Sequence, residues 1–406
     1  MGDYVVRCVG CGSVRPPYTL VCPEDGALLR AEYALKRLSP RSLPGIWRFY
    51  DWLPVHDIIR EAGEGSVTYR SSALSRELGL KNLYISFSGY WPERDALMKT
   101  CSFKDLEAPP TMQRLRERCD SPTLVVASAG NTARAFANVA SMTGQDLVLV
   151  VPESGLSRLW TTVPRGRISL ICVRGDYYDA IQIGERIASM PEFVGEGGAR
   201  NIARRDGMAT VMLEAALAIE RLPDHYFQAV GSGTGGISAW EASLRLVDDG
   251  RFGKVLPRLH LAQNLPNAPI YHEWHGIKAE ACPSEDMFDD VLFNRHPPYG
   301  VAGGVRDALA DSGGDVYGIS NREAADAKRL FEGAEGIDIL NAPAVAVAAL
   351  ANAIESGAIM SDETILLNIT GGGVSRLKEE LMPEALRPDI IVSSSEEAID
   401  FLAGRS

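Results

Sequence analysis

A chain of 406 residues, 46% of them hydrophobic, is long enough for two or more domains with separate cores. The net charge of −12 argues against a nucleic-acid binder and against a protein of anionic membranes, because both need a basic surface. The chain has no signal-like start and no apolar run of about 18 residues, and its seven cysteines are an odd number. We therefore expect a cytoplasmic protein with reduced thiols and with no membrane or nucleic-acid partner.

Residues 1–34 form a separate segment that contains three of the cysteines. Cys8 and Cys11 make a C-x-x-C pair, and Cys22 lies in the next predicted turn. A zinc ribbon usually carries two such pairs, since each turn presents two thiolates to one tetrahedral ion. Asp25 stands at the fourth ligand position and offers oxygen in place of sulfur. The four residues are therefore either a zinc site or a ribbon that keeps its turns without the metal.

The body of the chain, from Val67 onward, alternates short apolar runs with amphipathic stretches, a pattern typical of parallel α/β units. Buried strands are predicted at residues 124–127, 147–151, 168–173, 226–230 and 364–369. Helices are predicted at residues 132–141, 207–221, 237–247 and 344–354. The predicted fold class is α/β, with two open sheet domains and the small ribbon-like N-terminal segment.

Lys104, in the sequence S-F-K-D-L at residues 102–106, is the candidate catalytic residue. An amine in a partly desolvated pocket titrates nearer neutrality, which suits it both to bond formation with a carbonyl carbon and to proton transfer. A single lysine is more often a solvated surface charge, and Lys99 is an obvious rival five residues earlier.

Three polar, glycine-rich turns follow Lys104, each directly after a predicted strand, where open α/β sheets place their ligands. They are Ser128-Ala129-Gly130-Asn131-Thr132, Gly231-Ser232-Gly233-Thr234-Gly235-Gly236 and Thr370-Gly371-Gly372-Gly373. Glycines let the backbone approach an oxyanion, and the hydroxyl groups add donors. The second turn also fits the dinucleotide pattern G-x-G-x-x-G, with Asp248 and Asp249 at a tolerable distance, which leaves NAD binding as an alternative.

A basic cluster of Arg200, Arg204 and Arg205 stands out in this acidic chain. It is either a solvated helix start or a binding site for an anionic substrate.

A lysine followed by these three turns, in this order, resembles the fold-type II pyridoxal-phosphate enzymes of the threonine synthase class. The resemblance implies that Lys104 binds the cofactor covalently and that the turn at 231–236 also binds it. It further implies that Asn131 hydrogen-bonds the phenolic oxygen, that the Ser128–Thr132 turn holds a substrate carboxylate, and that Thr370 faces the pyridine nitrogen. A neutral hydroxyl group at that nitrogen favours elimination and replacement over transamination.

The residues before the lysine depart from the threonine synthase pattern N-P-T-G-S-F-K-D-R, because the chain reads L-M-K-T-C-S-F-K-D-L at 97–106. Longer stretches resemble the cysteate synthases, a paralogous branch that serves coenzyme M formation in methanogenic archaea. They are P-G-I-W-R-F at 44–49, F-S-G-Y-W-P-E at 87–93, G-G-A-R-N-I-A-R-R-D-G at 197–207 and D-H-Y-F-Q-A-V-G-S-G-T-G-G-I-S-A-W at 224–240. This resemblance implies O-phospho-L-serine and sulfite as substrates and L-cysteate and phosphate as products. Threonine synthase activity on O-phosphohomoserine is the alternative.

Both the leaving group and the nucleophile of that reaction are anions, so a cationic pocket is expected, with Lys99 and Arg204 or Arg205 as its candidates. The resemblance also implies a large cofactor-binding domain of residues 35–106 and 205–406, a small mobile domain of residues 107–204, and a homo-oligomer.

Overall fold

The structure is a computed structural model that describes residues 4–128, 130–278, 286–294 and 297–404. Its strands in chain order are β1 (Tyr4–Cys8), β2 (Val14–Arg15), β3 (Leu29–Tyr33), β4 (Val67–Arg70), β5 (Asn82–Phe87), β6 (Tyr90–Trp91), β7 (Ala96–Leu97), β8 (Thr123–Ala127), β9 (Leu147–Pro152), β10 (Trp160–Thr161), β11 (Ile168–Val173), β12 (Phe193–Gly195), β13 (His225–Ala229), β14 (Arg258–Asn264), β15 (Asp315–Ile319), β16 (Thr364–Ile369), β17 (Glu384–Ala385) and β18 (Ile390–Val392).

The helices are α1 (Ala73–Glu77), α2 (Ala108–Arg116), α3 (Asn131–Thr143), α4 (Tyr177–Ala188), α5 (Ile202–Ile219), α6 (Thr234–Asp249), α7 (Pro269–His275), α8 (Val305–Ser312), α9 (Asn321–Glu335), α10 (Asn341–Glu355), α11 (Val374–Leu381) and α12 (Ser395–Ala403). None of these described helices is both long and apolar enough to span a bilayer.

Two open sheets form the body of the molecule. The larger has the strand order β15-β14-β13-β16-β5-β4 and is parallel except for β4, and the smaller has the order β12-β8-β9-β11-β18 and is parallel throughout. A third sheet, β2-β1-β3, forms the N-terminal ribbon. The α/β fold class predicted from the alternating pattern is thus confirmed.

Both faces of the larger sheet are covered by helices, which explains why its strands are apolar on both sides. On β13, Tyr226 belongs to the core cluster shared with α5, α6 and α8, whereas Phe227 belongs to the cluster under α9 and α10. The alanines of α10 lie against β13, β14 and β16, where their small side chains allow close approach of the helix to the sheet.

The predicted strands and helices all occur, with shifted ends. The largest shift is at α5, predicted from residue 207 and observed from Ile202. The earlier start is set by Asn201, whose Oδ1 accepts a hydrogen bond from the Ala203 amide at 3.0 Å and so caps the helix. This cap places Arg204 and Arg205 in the helix as buried residues, whereas Arg200 lies before the helix and is exposed.

The end of the chain departs from the expected division into domains, which had placed residues 205–406 together. β17 pairs with β10, β18 pairs in parallel with β11 (Ile171 opposite Ile390), and α12 packs on α4. The last strand and helix therefore complete the smaller sheet. β18, with Ile390 and Val392, pairs along the edge of β11. The amino-acid composition of the segment does not predict this tertiary pairing.

The turn that carries Lys104 is positioned by a glycine on α5. A Cβ atom at Gly207 would lie 2.0 Å from the Leu106 carbonyl oxygen, so the helix reaches the turn only because this residue has no side chain. The turn, Phe103–Leu106, also packs on α2 and α3.

We expect Gly207→Ala to lower the free energy of unfolding by roughly 1–3 kcal/mol, because the added methyl group must push α5 away from the turn. Gly333→Ala is the matched control, since Gly333 lies on α9 and an added Cβ would meet no atom within 4 Å. Alanine is the better helix former, so this control should gain up to about 1 kcal/mol. Urea unfolding of both variants measures the difference, and equal effects would contradict the packing described.

Candidate active site

A cavity of about 850 Å³ lies between the two sheets, at the carboxyl ends of β8, β13 and β16. This volume is within the range of cofactor and substrate sites. The sequence motifs meet in its wall, which includes Lys104, Ser128, Gly130, Asn131, Thr132, Gly231, Ser232, Gly233, Thr234, Gly235 and Thr370. Ala129, expected in the same turn, lies outside the described residues.

Lys104 is held beside Thr370 by backbone pairing. Ser102 Oγ accepts a hydrogen bond from the Lys104 amide at 3.4 Å and caps the short 3-10 helix. The Phe103 amide donates to the Thr370 carbonyl oxygen at 3.0 Å, and Ser102 forms a bridge with Gly371. The lysine and the threonine, more than 260 residues apart in sequence, are therefore fixed in adjacent backbone segments.

The amine of Lys104 is partly desolvated, as the sequence predicted. Its side chain is 21% exposed, and burial lowers the pKa of its ammonium group while the neighbouring Glu107 carboxylate acts in the opposite direction. The distance from Lys104 Nζ to Glu107 Oε2 is 3.6 Å. Burial therefore favours the neutral amine, and the carboxylate favours the protonated form.

The turn after β8 is shaped by Gly130, which has φ 143°, a conformation that side chains rarely adopt. Its amide donates to Ser128 Oγ at 3.1 Å, and α3 begins at the next residue, Asn131. Asn131 Oδ1 accepts a hydrogen bond from Arg134 Nη2 at 3.0 Å. Because arginine can only donate, this contact fixes the orientation of the amide and leaves Nδ2 as its donor end on the cavity wall.

Arg134 is itself a buried cation that joins several parts of the site. Its Nε donates to the Thr100 carbonyl oxygen at 2.9 Å, just before the lysine turn, and its Nη1 donates to the Arg158 carbonyl oxygen at 2.7 Å. Burial lowers the pKa of this guanidinium to about 10. The sequence analysis did not identify Arg134 as a site residue. Its position three residues after Asn131 in a predicted helix could have indicated that the two side chains interact.

The turn after β13 leads into α6, whose first residue is Thr234. A Cβ atom on Gly233 would lie 2.3 Å from Val305 Cγ2, and one on Gly235 would lie 2.1 Å from Gln228 Nε2. Ser232 Oγ and Thr234 Oγ1 lie 2.8 Å apart. The wall here is therefore backbone amide and hydroxyl groups at the N-terminus of a 16-residue helix, an arrangement that binds anions.

Two glycine positions serve packing and not the cavity. Gly236 is not among the described lining residues, and a Cβ atom there would lie 2.9 Å from Leu261 Cδ1. Gly371 allows the lysine turn to approach, since its Cβ would lie 2.7 Å from the Cys101 carbonyl oxygen. Of the T-G-G-G turn, only Thr370 is among the described residues of the wall.

The cationic residues that line the cavity differ from those predicted. Lys99 is not among the described residues that line the cavity, because the tight lead-in 98–101 carries it away from the turn. Arg204 does line the cavity, but its Nη2 donates to Glu107 Oε1 at 2.7 Å and its Nη1 pairs with Glu196 Oε2. Arg205 pairs with Glu241 at 3.0 Å. Arg200, which is exposed, lines the cavity as well.

A second candidate site lies in the ribbon, where the ligand atoms of Cys8, Cys11, Cys22 and Asp25 all lie within 4.8 Å of one another. The sulfurs of Cys11 and Cys22 are 3.7 Å apart. Two thiolates bound to one tetrahedral zinc ion lie about 3.8 Å apart, given Zn–S bonds of about 2.3 Å. The Ala27 amide holds the pKa of Asp25 down to about 2, so this carboxylate is ionised and able to bind a cation. The donor set fits zinc.

Comparison with known proteins gives the family. The family model described as pyridoxal-phosphate dependent enzyme matches residues 62–371. The cysteate synthase of Methanothrix thermoacetophila is 59% identical over 408 residues, covering 98% of each chain, and that of Methanococcoides burtonii is 57% identical over 394 residues, covering 97% of this chain and 94% of its own.

A solved structure, maize serine racemase, matches 78% of this chain and 91% of its own with a TM-score of 0.59 and 15% identity, which shows the shared fold. The family match also removes the NAD alternative for the G-x-G-x-x-G turn. The fold, the site and these relatives lead to one conclusion: the chain belongs to the pyridoxal-phosphate-dependent enzymes and, among them, to the cysteate synthase family.

Proposed function

We propose that this enzyme replaces the phosphate group of O-phospho-L-serine by sulfite and so forms L-cysteate and phosphate, as a step toward coenzyme M. The observation that carries the proposal is the meeting of Lys104, Asn131, the 231–235 turn and Thr370 in one cavity. The names of the relatives support cysteate as the product. The anionic substrates follow from the resemblance of the sequence and from the anion-binding groups of the wall.

The residues of the cavity fit pyridoxal phosphate. The N-terminus of α6, with Ser232 and Thr234, offers amide and hydroxyl donors to a phosphate group. The glycines at 233 and 235 leave a concave wall, since a side chain at either position would collide with Val305 or Gln228. Lys104 provides an amine of lowered pKa for covalent attachment.

The bound cofactor supplies electron withdrawal from the substrate's Cα. In the proposed roles, Lys104 takes the proton from Cα and later returns it, while the Cβ–O bond to phosphate breaks and the Cβ–S bond to sulfite forms. With the cofactor bound, Asn131 would donate to its phenolic oxygen through Nδ2, which Arg134 orients. Thr370 would offer a neutral hydroxyl group to the ring nitrogen, which would favour replacement at Cβ over transamination.

The amide groups of the Ser128–Thr132 turn would hold the substrate carboxylate at the start of α3. Arg200 takes the place of Lys99 as a cation for the substrate phosphate or sulfite, because it lines the cavity and is exposed. Arg204, whose two Nη atoms are held by carboxylates, is assigned to the support of the site.

Lys104→Ala is expected to remove the visible absorbance of the lysine-bound cofactor and to lower the rate of cysteate formation at least about 10³-fold, because both the attachment point and the proton carrier are lost. Lys99→Ala is the matched control and should keep both the colour and most of the rate, since Lys99 lies outside the described wall. Absorption spectra and a cysteate assay of the two proteins decide the matter. A yellow Lys104→Ala protein would contradict the assignment.

With phosphoserine and sulfite, the enzyme should release one phosphate for each cysteate formed, and omission of sulfite should stop cysteate formation. The kcat/KM for phosphoserine should exceed that for O-acetylserine by about 10²-fold, because the anion-binding wall stays unfilled with the neutral ester. Chromatography of the products together with a phosphate assay measures both. Phosphate release from O-phosphohomoserine with water at a higher kcat/KM would establish threonine synthase activity instead.

We also propose that the ribbon binds zinc through Cys8, Cys11, Cys22 and Asp25. Purified protein should contain about one zinc ion per chain, and Cys22→Ser should lose most of it, because a structural site needs all four ligands. Cys119→Ser is the control, since Cys119 is an exposed cysteine outside the cluster. Elemental analysis measures the metal, and equal zinc contents in the two variants would contradict the proposed ligand set.

A further inference from the structure

Glu107 is a buried carboxylate whose two oxygens have different surroundings. Its side chain is 0% exposed, and its Oε1 accepts a hydrogen bond from Arg204 Nη2 at 2.7 Å. Its Oε2 has no hydrogen-bond partner among the described residues and lies 3.6 Å from Lys104 Nζ. A buried carboxylate oxygen without a donor is costly, so its position beside the amine requires an explanation.

The orientation of Glu107 is fixed from the opposite side by Arg204, which Glu196 holds in turn. Glu196 Oε2 pairs with Arg204 Nη1 and also accepts a hydrogen bond from the Gly198 amide at 2.9 Å. Glu196 follows β12 in the smaller sheet, whereas Arg204 lies on α5. The ion pairs of Arg204 with Glu107 and Glu196 therefore connect the two sides of the cavity. They also orient Glu107 so that its Oε2 lies beside Lys104.

Tyr177, at the start of α4 and in the cavity wall, is a further titratable group that interacts with this cluster. Burial raises the pKa of Tyr177 to about 12, so this phenol stays neutral. The charges that act most strongly on the amine are those of Glu107, Arg204 and Glu196, which sum to minus one. Protonation of Lys104 makes the whole cluster neutral.

We propose that Glu107 is a positioning residue that keeps the protonated nitrogen of Lys104 at the cavity wall and balances its charge. The inference rests on the role of Lys104 proposed above. When the Cα–H bond of the substrate breaks, the proton goes to Nζ, and the carboxylate 3.6 Å away compensates the new charge until the proton returns to Cα. Burial alone would disfavour protonation of this nitrogen, because it lowers the pKa of Lys104.

The test is a pH titration of the visible absorbance of the holoenzyme, which reports the proton on the lysine nitrogen without any turnover. Glu107→Gln removes the charge and keeps the shape, so its titration midpoint should fall below that of the unchanged protein by about 1–3 pH units. The sign follows from the charge, since an anion beside the nitrogen stabilises the protonated form. Glu196→Gln is the matched control: it removes a carboxylate from the same Arg204 without touching Lys104, and its midpoint should fall clearly less.

Glu107→Asp provides a graded variant and an alternative where Glu107→Gln fails to fold. The shorter side chain keeps the charge but places it about one bond length farther from Nζ. The titration midpoint should therefore lie between those of the unchanged protein and Glu107→Gln. A Glu107→Gln midpoint that stays at the value of the unchanged protein, or that falls no further than in Glu196→Gln, would overturn the proposal. Where only Glu107→Asp folds, a midpoint equal to that of the unchanged protein would overturn it.

Failure of the proposed function gives a different pattern. If Lys104 were not the attachment point, the Lys104→Ala protein would keep the visible absorbance. The loss of that absorbance together with an unshifted Glu107→Gln midpoint would reject the role of Glu107 alone.

Discussion

The backbone pairing between the lysine turn and the end of β16 is the constraint on which the site depends. The Phe103 amide donates to the Thr370 carbonyl oxygen, and the Gly372 amide donates to the Cys101 carbonyl oxygen at 3.2 Å. These contacts place the lysine and the threonine on one wall, and the glycines that follow Thr370 allow two backbones to approach without side chains between them. The T-G-G-G sequence is therefore a support for the lysine turn as much as part of a ligand site.

A second constraint is electrostatic. The cavity brings a partly desolvated amine, two carboxylates and a guanidinium together in a chain of net charge −12. Each charge is expensive to bury alone, and together they nearly balance when Lys104 carries a proton. Because Glu196 follows β12 of the smaller sheet and Arg204 lies on α5, the ion pairs that we propose to tune the lysine also connect the two sides of the cavity.

The sequence predicted the fold class and five of the eleven described strands of the two sheets, β8, β9, β11, β13 and β16, because these depend on local patterns. Buried apolar runs followed by glycine and hydroxyl residues suffice to place a ligand at the carboxyl ends of parallel strands. Partners distant in sequence could not be predicted. Arg204 was read as a free cation, since nothing local shows that Glu107 and Glu196 compensate it. Lys99 was placed in the pocket by proximity in sequence, although the lead-in turns it away, and the return of β18 to the smaller sheet has no local signal.

The central claim is that Lys104 carries the cofactor in this cavity. Reduction of the holoenzyme with borohydride, proteolysis and mass spectrometry of the peptides tests it most directly, because reduction makes the bond to the lysine permanent. The account predicts that the mass of the reduced cofactor is found on Lys104. Its recovery on Lys99 or on any other lysine would contradict the account.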